Sequence, residues 1–390
     1  MVKRSKNAKN NNSSQQTTTF QYVAVLVFLA VLNVVFFFSH GFSYTRAQCT
    51  ADVIFETLTR YLGENGKIPI EKCLLEPCLT PTTSAVREFT TAVRTLVTEC
   101  NKPPIEIPSG AILTLVTTFA DHVHTDSEKL TVHNNTIMNW AKLKPHVNLL
   151  LFTNDSHWSD TARRHGWDVI PPTNNSFPDR PPVLKEMFKA AKARYDTLWY
   201  GYVNADILFT DGLLTHLTVL TNNHNATHRR IMLTGRRTNV QNVSLIDPLS
   251  DNKLLSMAKS NGTLYKEDAE DFFITTKSFP WDTILPVVVG RPAYDNWLVA
   301  EARCRMQTDV IDVSDTLLAL HQTTIKGGNL EGHSHKENDI NFNIFKKHKL
   351  KPNFLSGLTT CVSFNTYTTL CDKLGVSRRT NVGPMCACKK

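Results

Sequence analysis

Asn204 and Asp206 are the residues whose type and spacing most clearly suit chemistry. They lie in the segment WYGYVNADILF, after an apolar run and on either side of a single small residue. The predicted strand 197–203 would end just before them, and open α/β sheets bind ligands at the carboxyl ends of their strands. Two oxygen ligands one residue apart suit a hard divalent cation, Mg²⁺ or Mn²⁺. In the alternative, Asp206 caps the next segment and Asn204 bonds to the backbone.

A second candidate segment is GRPAYDNWLV, which begins at Gly290. Its proline fits the first turn of a helix, so Gly290 and Arg291 would lie in the approach loop and Asp295 near the positive helix N-terminus. Asp295 could accept a proton from a hydroxyl or bind hydroxyls, and Trp297 offers an apolar face to a ring. The alternative is an Arg291–Asp295 ion pair beside a core tryptophan.

Arginine and histidine side chains follow other predicted strands or lie in loops. Arg236 and Arg237, in LTGRRTNV, could bind a phosphate or a carboxylate-bearing ligand, although surface salt bridges explain them equally well. His321 follows the apolar run TLLAL, where a lone histidine is more often structural. The glycine-flanked segment KGGNLEGHSHKEND is interpreted as a mobile lid, and the spacing of its His333 and His335 would allow chelation on an extended loop.

The elements that must position these residues alternate between strands and helices from Ala111 onward. This alternation predicts an α/β fold, with a mainly parallel sheet and helices on both of its faces. The predicted strands are 111–119, 147–155, 167–170, 197–203, 230–235, 271–276 and 308–313, and helices are predicted at 159–165 and after Pro181-Pro182.

The N-terminus predicts a membrane anchor. A basic, polar tail (1–19) precedes an apolar segment (20–38) that is long enough for a transmembrane helix. The positive-inside rule then places the tail in the cytosol and the rest in the lumen, as in a single-pass type II signal-anchor protein. The alternative is a signal peptide cut near Ala47.

The cysteines divide the predicted luminal part into three regions. All nine lie beyond the anchor, and none falls between Cys100 and Cys304. They indicate a stem (39–108) and a C-terminal segment (351–390) with disulfides, on either side of a central domain (109–350) that is uncrosslinked between Cys100 and Cys304. An odd count leaves one thiol free or intermolecular. Six N-x-S/T sequons agree with a luminal location: Asn134, Asn154, Asn174, Asn225, Asn242 and Asn261.

Composition and missing motifs exclude several classes of function. The chain has 390 residues, of which 41% are hydrophobic, as expected for a folded protein. Its net charge of +8 is dispersed rather than gathered into basic tracts, so no nucleic-acid partner is expected. It has no G-x-G-x-x-G, Walker A, G-x-S-x-G or H-E-x-x-H pattern, which argues against dinucleotide oxidoreductases, P-loop ATPases, α/β-hydrolases and zincins.

An ordered set of segments resembles a group of uncharacterised glycosyltransferases with the GT-A fold, which is Rossmann-like. The set reads LFTND, YVNADIL, LTGRR, EDFFITTKSFPW, VVVGRPAYDNWLV and VIDVSDTLLALHQT, and spans about 111–345. The Asn-Ala-Asp motif at 204–206 follows a predicted anchor and stem, and it is similar to the acidic D-x-D motif of Golgi enzymes. The first position here is Asn204 rather than Asp, which weakens the expected metal affinity.

The resemblance implies roles for individual residues. Asp206, with Asn204 and His321, would bind Mn²⁺ or Mg²⁺ on the diphosphate of a nucleotide-sugar donor, and Asp206 would be catalytic through that metal. Thr117 and Thr118 would contact the nucleotide, Arg236 and Arg237 the phosphates, and Asp295 the acceptor.

Sugar transfer to a glycan or glycoconjugate in the Golgi or the ER is the expected activity. The alternative from another class is a noncatalytic luminal carbohydrate-binding or chaperone-like protein on the same fold.

Overall fold

The computed structural model describes residues 98, 100–119, 126–172, 181–245, 249–324, 337–369, 371–380 and 382–388. The chain divides into two compact units, Met1–Lys102 and Pro103–Lys390. In the first unit the described residues are helical at 98, 100 and 101. All the elements below belong to the second unit.

Thirteen strands and seven helices make up the described part of the second unit. The strands are β1 (Leu113–Thr118), β2 (Val147–Phe152), β3 (Asp168–Ile170), β4 (Trp199–Val203), β5 (Ile207–Phe209), β6 (Ile231–Thr234), β7 (Thr238–Gln241), β8 (Thr263–Leu264), β9 (Phe272–Thr276), β10 (Asp309–Asp312), β11 (Ala319–Thr323), β12 (Phe364–Thr368) and β13 (Leu374–Arg378). The helices are α1 (Ser127–Ala141), α2 (Ser156–Arg164), α3 (Leu184–Arg194), α4 (Gly212–Asn223), α5 (Asp251–Asn261), α6 (Asp295–Cys304) and α7 (Ile340–Lys347).

Nine strands form the main sheet, in the order β13-β12-β10-β6-β9-β4-β1-β2-β3. Most neighbours are parallel, as the sequence predicts, but β9 runs antiparallel to both β4 and β6. The register pairs Val203, the last residue of β4, with Phe272, the first residue of β9. The end of β4 therefore lies beside the start of β9, which decides what surrounds Asn204.

Helices cover both faces of this sheet, as expected. One core cluster joins the strands to Trp140 of α1, Trp158 of α2 and Leu217 of α4. The other joins them to Phe188 of α3 and Trp297 of α6. Alternate residues of a strand face opposite sides, so both faces of a covered sheet must be apolar, and the continuous apolar runs of the sequence meet that need.

A second sheet of four strands, in the order β5-β11-β7-β8, was not predicted. β11 runs antiparallel to β5, and its His321 pairs with Ile207. The strands of this sheet have two to five residues, too short for an alternating pattern to be read from the sequence. The small sheet therefore places His321, in β11, beside the segment that follows β4.

The C-terminal segment is built into the main sheet, because β12 pairs with β10 and β13 pairs with β12. One disulfide, Cys304–Cys388, connects this segment to the end of α6. A second, Cys361–Cys386, joins two parts of the segment to each other. Both confirm the prediction of cysteines as structural staples. Cys100 and Cys371 are disulfide-bonded as well.

The predicted anchor, 20–38, and nearly all of the predicted stem lie outside the described residues. Among the residues that the structure does describe, no helix is both long enough and apolar enough to cross a membrane.

Candidate functional site

The loop 204–206 leaves the main sheet at the end of β4 and is held there by backbone contacts. The Thr136 hydroxyl of α1 donates to the carbonyl of Ala205 at 2.7 Å. The backbone N–H of Gln322, in β11, donates to the carbonyl of Asp206 at 3.0 Å. These two contacts, made from α1 and from β11, fix the backbone of the loop on which Asp206 lies.

Asp206 carries the chemistry of this loop. Its Oδ2 lies 3.1 Å from Nε2 of His321, and its Oδ1 is buried without a hydrogen-bond partner among the described residues. Burial alone would raise the pKa of this carboxyl, but the charges of His321, Arg237 and Lys129 and the hydrogen bond from His321 hold that pKa well below its usual range. Asp206 is therefore an anion at neutral pH, with one acceptor oxygen unused.

Asn204 is tied into a buried network instead. Its Nδ2 donates to Oδ1 of Asp271 at 2.6 Å. Its Oδ1 accepts from the hydroxyls of Tyr202, at 3.0 Å, and Tyr294, at 3.3 Å. Burial raises the pKa of both tyrosines, so both hydroxyls remain protonated donors. The Asn204 oxygen, predicted as a metal ligand, is occupied by these two hydroxyls.

Arg237 completes the network around Asn204. Its Nη1 donates to Oδ2 of Asp271 at 2.8 Å, and the two side chains are only 7% and 8% exposed. The guanidinium also lies over the ring of Tyr265, with its Cζ 4.6 Å from the ring centroid. The sequence predicts Arg237 as a phosphate ligand, but the structure pairs it with a buried carboxylate.

The resemblance implies a divalent cation, and the site can be tested for its fit. In the described part of the chain, no group of three or more His, Cys, Asp or Glu side chains is arranged to hold a metal. Asp206 and His321 remain as a pair of ligands, and the carboxylate and imidazole atoms face each other 3.1 Å apart. The contact between them is a hydrogen bond that a cation bound to Nε2 of His321 would have to displace, and the buried, unpartnered Oδ1 of Asp206 is the atom that fits a cation as it stands. Mg²⁺ usually takes one or two protein ligands and fills its shell with phosphates and water.

A second pair of carboxyl groups lies at the start of α6. Asp295 is the first residue of the helix, and burial, followed by the charges of Asp271 and Asp268, raises its pKa to about 7. Glu270, 1% exposed, accepts from Nδ2 of Asn296 at 2.7 Å. Burial and then the charge of Asp295 raise the pKa of Glu270 well above its usual value. Asp295 is therefore poised to take up a proton near neutral pH.

Tyr294 connects the two regions, since its hydroxyl bonds to Asn204 while the next residue is Asp295. The loop before it is bent sharply, with φ of 66° at Gly290 and 79° at Ala293. A positive φ is unfavourable for alanine and persists only where contacts enforce it. Asn341 of α7 provides such contacts, because its Nδ2 donates to the carbonyls of Val288 and Pro292 at 3.0 and 3.1 Å.

Two residues predicted to contact the nucleotide use their hydroxyls inside the fold. Thr117, 0% exposed, donates to the carbonyl of Val203 at 2.7 Å, and Thr118 donates to the carbonyl of Phe152 at 2.7 Å. Both threonines tie neighbouring strands together where they end. Their hydroxyls are therefore committed to backbone carbonyls, although Thr118 is partly exposed.

Three other residues that were predicted to contact ligands make contacts within the protein. Trp297 is 2% exposed and packs against Phe345 in the core, which matches the alternative of a core tryptophan. Nε of Arg236 donates to the carbonyl of Tyr265 at 2.6 Å. Nη1 of Arg291 donates to the carbonyl of Gly290 at 2.8 Å, and the described residues include no ion pair between Arg291 and Asp295. The histidines of the predicted lid, His333 and His335, lie outside the described residues.

The sequence did not reveal Asp271, Glu270 or the two tyrosines as site residues. In a fully parallel sheet the first residues of DFFITT would lie at the opposite edge from Asn204, since parallel strands end on the same side. Because β9 is antiparallel, its start meets the end of β4, and the backbone N–H of Asn204 donates to the carbonyl of Asp271 at 2.8 Å. Two adjacent acidic residues before an apolar strand were the available signal.

No family model and no curated relative matches the sequence. Solved structures similar to the chain include a mycobacterial protein (11% identity, TM-score 0.36, covering 72% of this chain and 89% of that one). Another is glucosyl-3-phosphoglycerate synthase from Mycobacterium tuberculosis in complex with phosphoglyceric acid (11% identity, TM-score 0.33, covering 64% of this chain and 87% of that one).

A third similar structure is a mannosyltransferase from Pyrobaculum calidifontis in complex with GDP-Man and Mn²⁺ (12% identity, TM-score 0.31, covering 61% of this chain and 65% of that one). All three TM-scores are below 0.5.

Proposed function

We propose that the chain is a glycosyltransferase that moves a sugar from a nucleotide-sugar donor to a hydroxyl of a glycan or glycoconjugate, with the help of Mn²⁺ or Mg²⁺. The observation that carries this proposal is the Asp206–His321 pair at the end of a central strand. It offers an anionic carboxylate with an unpartnered oxygen, and it is joined through Asn204 and Tyr294 to the carboxyls at the start of α6.

Asp206 and His321 would hold the cation, which when bound would neutralise charge on the diphosphate leaving group. The chain's own residues provide the rest of the site. The backbone contacts of Ala205 and Asp206 fix the carboxylate before a ligand arrives, so little reorganisation is needed during reaction.

Asp295 would act on the acceptor. As an anion it accepts the proton of the acceptor hydroxyl, while the hydroxyl oxygen forms a bond to the anomeric carbon and the bond from that carbon to the phosphate oxygen breaks. A group of this kind works best when its pKa lies near the working pH, and the pKa of Asp295 is about 7. Glu270, buried beside it with a raised pKa, adds to the local negative potential only when it ionises.

One observation favours a noncatalytic carbohydrate-binding or chaperone-like protein as the second candidate. Asn204, the first residue of the Asn-Ala-Asp motif, has no free side-chain oxygen, because the hydroxyls of Tyr202 and Tyr294 donate hydrogen bonds to it. A binding protein would keep the Asp206 loop and the start of α6 without turnover.

Release of nucleoside diphosphate from a panel of sugar nucleotides tests the proposal. Purified full-length protein would be compared with and without Mn²⁺, next to Asp206→Ala and to Asp282→Asn, a matched change of an exposed carboxylate. We expect release that needs metal, falls at least about 100-fold in Asp206→Ala and is unchanged in Asp282→Asn.

Equal release by Asp206→Ala would remove this residue from the mechanism. A folded protein that binds sugar nucleotides without releasing diphosphate would establish the noncatalytic candidate. Failure to bind any of them would reject the nucleotide-sugar site altogether.

We further propose a single-pass type II anchor at 20–38, with the second unit in the lumen of the Golgi or the ER. The support is the apolar segment of the sequence and the sequons. Asn154, Asn225, Asn242 and Asn261 are exposed, whereas Asn134 lies within α1. Removal of N-glycans from protein made in eukaryotic cells should reduce its mass. Unchanged mass together with full digestion by protease in intact microsomes would reject the luminal orientation.

A further inference from the structure

Asn204 stands where the resemblance leads one to expect an aspartate, and its surroundings explain why an amide is needed. Its Nδ2 lies 2.6 Å from Oδ1 of Asp271, a carboxylate oxygen that requires a donor opposite it, since the other oxygen pairs with Arg237. Only the nitrogen end of an amide meets that need. A carboxylate at position 204 would place two acceptors at hydrogen-bond distance, each repelling the other.

The other contacts of this network are already balanced. The positive charge of Arg237 is taken by the second oxygen of Asp271, at 2.8 Å, and both side chains are more than nine-tenths buried. The oxygen of Asn204 faces two tyrosine hydroxyls, Tyr202 and Tyr294. A second carboxylate at half-buried position 204 would therefore add a charge that no cation of the network balances, next to a buried ion pair, and such a change is strongly destabilising.

We propose that Asn204 is a positioning residue whose neutral amide joins the Arg237–Asp271 ion pair to Tyr294, and so fixes the Asp206 loop against the start of α6. Restoring the acidic residue of the D-x-D pattern in this chain would then damage the site instead of improving it. The claim that this network positions Asp206 for metal binding rests on the proposed function. The hydrogen bonds of the network do not depend on it.

An exchange of the two side chains provides the test. In Asn204→Asp/Asp271→Asn the new amide at 271 can donate to the carboxylate at 204 and accept from Arg237, so the total charge of the network is unchanged. Asn204→Asp and Asp271→Asn would be measured alone beside it. Asn343→Asp is the matched control, because Asn343 donates to Asp339 at 2.8 Å on the exposed surface.

Two readouts on the full-length protein separate the possibilities: the affinity for Mn²⁺ alone, from the free ion's paramagnetic resonance signal, and the thermal midpoint. We expect Asn204→Asp to weaken Mn²⁺ binding at least about tenfold, as changes next to metal ligands do. We also expect it to lower the midpoint by roughly 5 to 10 °C. The exchange should recover at least half of both losses, and Asn343→Asp should leave both values unchanged.

Tighter Mn²⁺ binding in Asn204→Asp would overturn the inference, because it would make position 204 a metal ligand. An exchange variant as impaired as the worse single variant would overturn it too. If the unaltered protein binds no Mn²⁺, the metal-assisted function fails, and the thermal midpoints alone decide whether the network positions the loop.

Discussion

The end of β4 and the start of α6 each carry an aspartate, and the pKa values of the two respond to their surroundings in opposite ways. At the end of β4, positive charges from His321, Arg237 and Lys129 outweigh burial and keep the pKa of Asp206 well below its usual range. At the start of α6, burial acts together with the negative charges of Asp271 and Asp268, and the pKa of Asp295 rises to about 7.

This difference shows that the neighbouring charges, more than the residue type, decide what an aspartate can do. A carboxylate that stays ionised suits a cation, and one that titrates near neutral pH suits proton transfer. Pairs of titratable groups driven in opposite directions are typical of acid–base sites. The contrast between Asp206 and Asp295 is thus the property that experiments should try to abolish.

The largest expected effect comes from Asp295→Asn, which removes the proton acceptor and keeps the size of the side chain. Turnover of the donor that the sugar-nucleotide panel identifies should fall by about 100- to 10,000-fold, while the KM for that donor changes little. Steady-state kinetics with Asp282→Asn as the control check this result. A variant that loses donor binding instead would show that the two regions do not have separate roles.

The pH profile is expected to show a smaller effect of the same group. Only ionised Asp295 accepts a proton, so kcat/KM should rise about tenfold per pH unit below about pH 7 and level off above it. Asp295→Asn should lose this rise, measured at saturating Mn²⁺. A rise that persists in the variant would assign the titration to another group, with Glu270 the next to substitute.

The smallest expected effect is on thermal stability, where substitutions of Asp206 and of Asp295 should change the midpoint in opposite directions. The folded-state pKa of Asp206 is depressed, so its contribution is present above its unfolded pKa and is lost as pH falls. The pKa of Asp295 is raised from 3.8 to about 7, so stability falls as pH rises between those values. At pH 8 we expect Asp206→Asn to lower the thermal midpoint and Asp295→Asn to raise it.

Each shift should be about 2 to 4 °C, which corresponds to about 1 kcal/mol in a large domain. At pH 4.5 the gain from Asp295→Asn should largely vanish, since most of the penalty that it removes is then absent. Shifts of the same sign in both variants at pH 8 would contradict the proposed contrast.

Sequence patterns sufficed for seven of the nine strands of the main sheet and for the polar break after β4, because both are local signals, whereas β12 and β13 were not predicted. They did not reveal the direction of β9, which depends on partners far along the chain and brings Asp271 to Asn204. They also did not show that Thr117, Arg237 and Trp297 are buried, since burial of a polar or aromatic side chain is decided by tertiary packing.

The C-terminal segment touches the site through one close approach of its backbone. A Cβ on Gly357 would lie 1.8 Å from the carbonyl oxygen of Asn296, so only glycine allows this segment to lie against the first turn of α6. Arg303 of α6 donates to the carbonyl of Ser356 at 2.6 Å, and Cys304 is bonded to Cys388. The start of α6 is therefore completed by residues that are translated well after α6 itself, and a nascent chain short of them would present the Asp206 loop before it could present a finished α6.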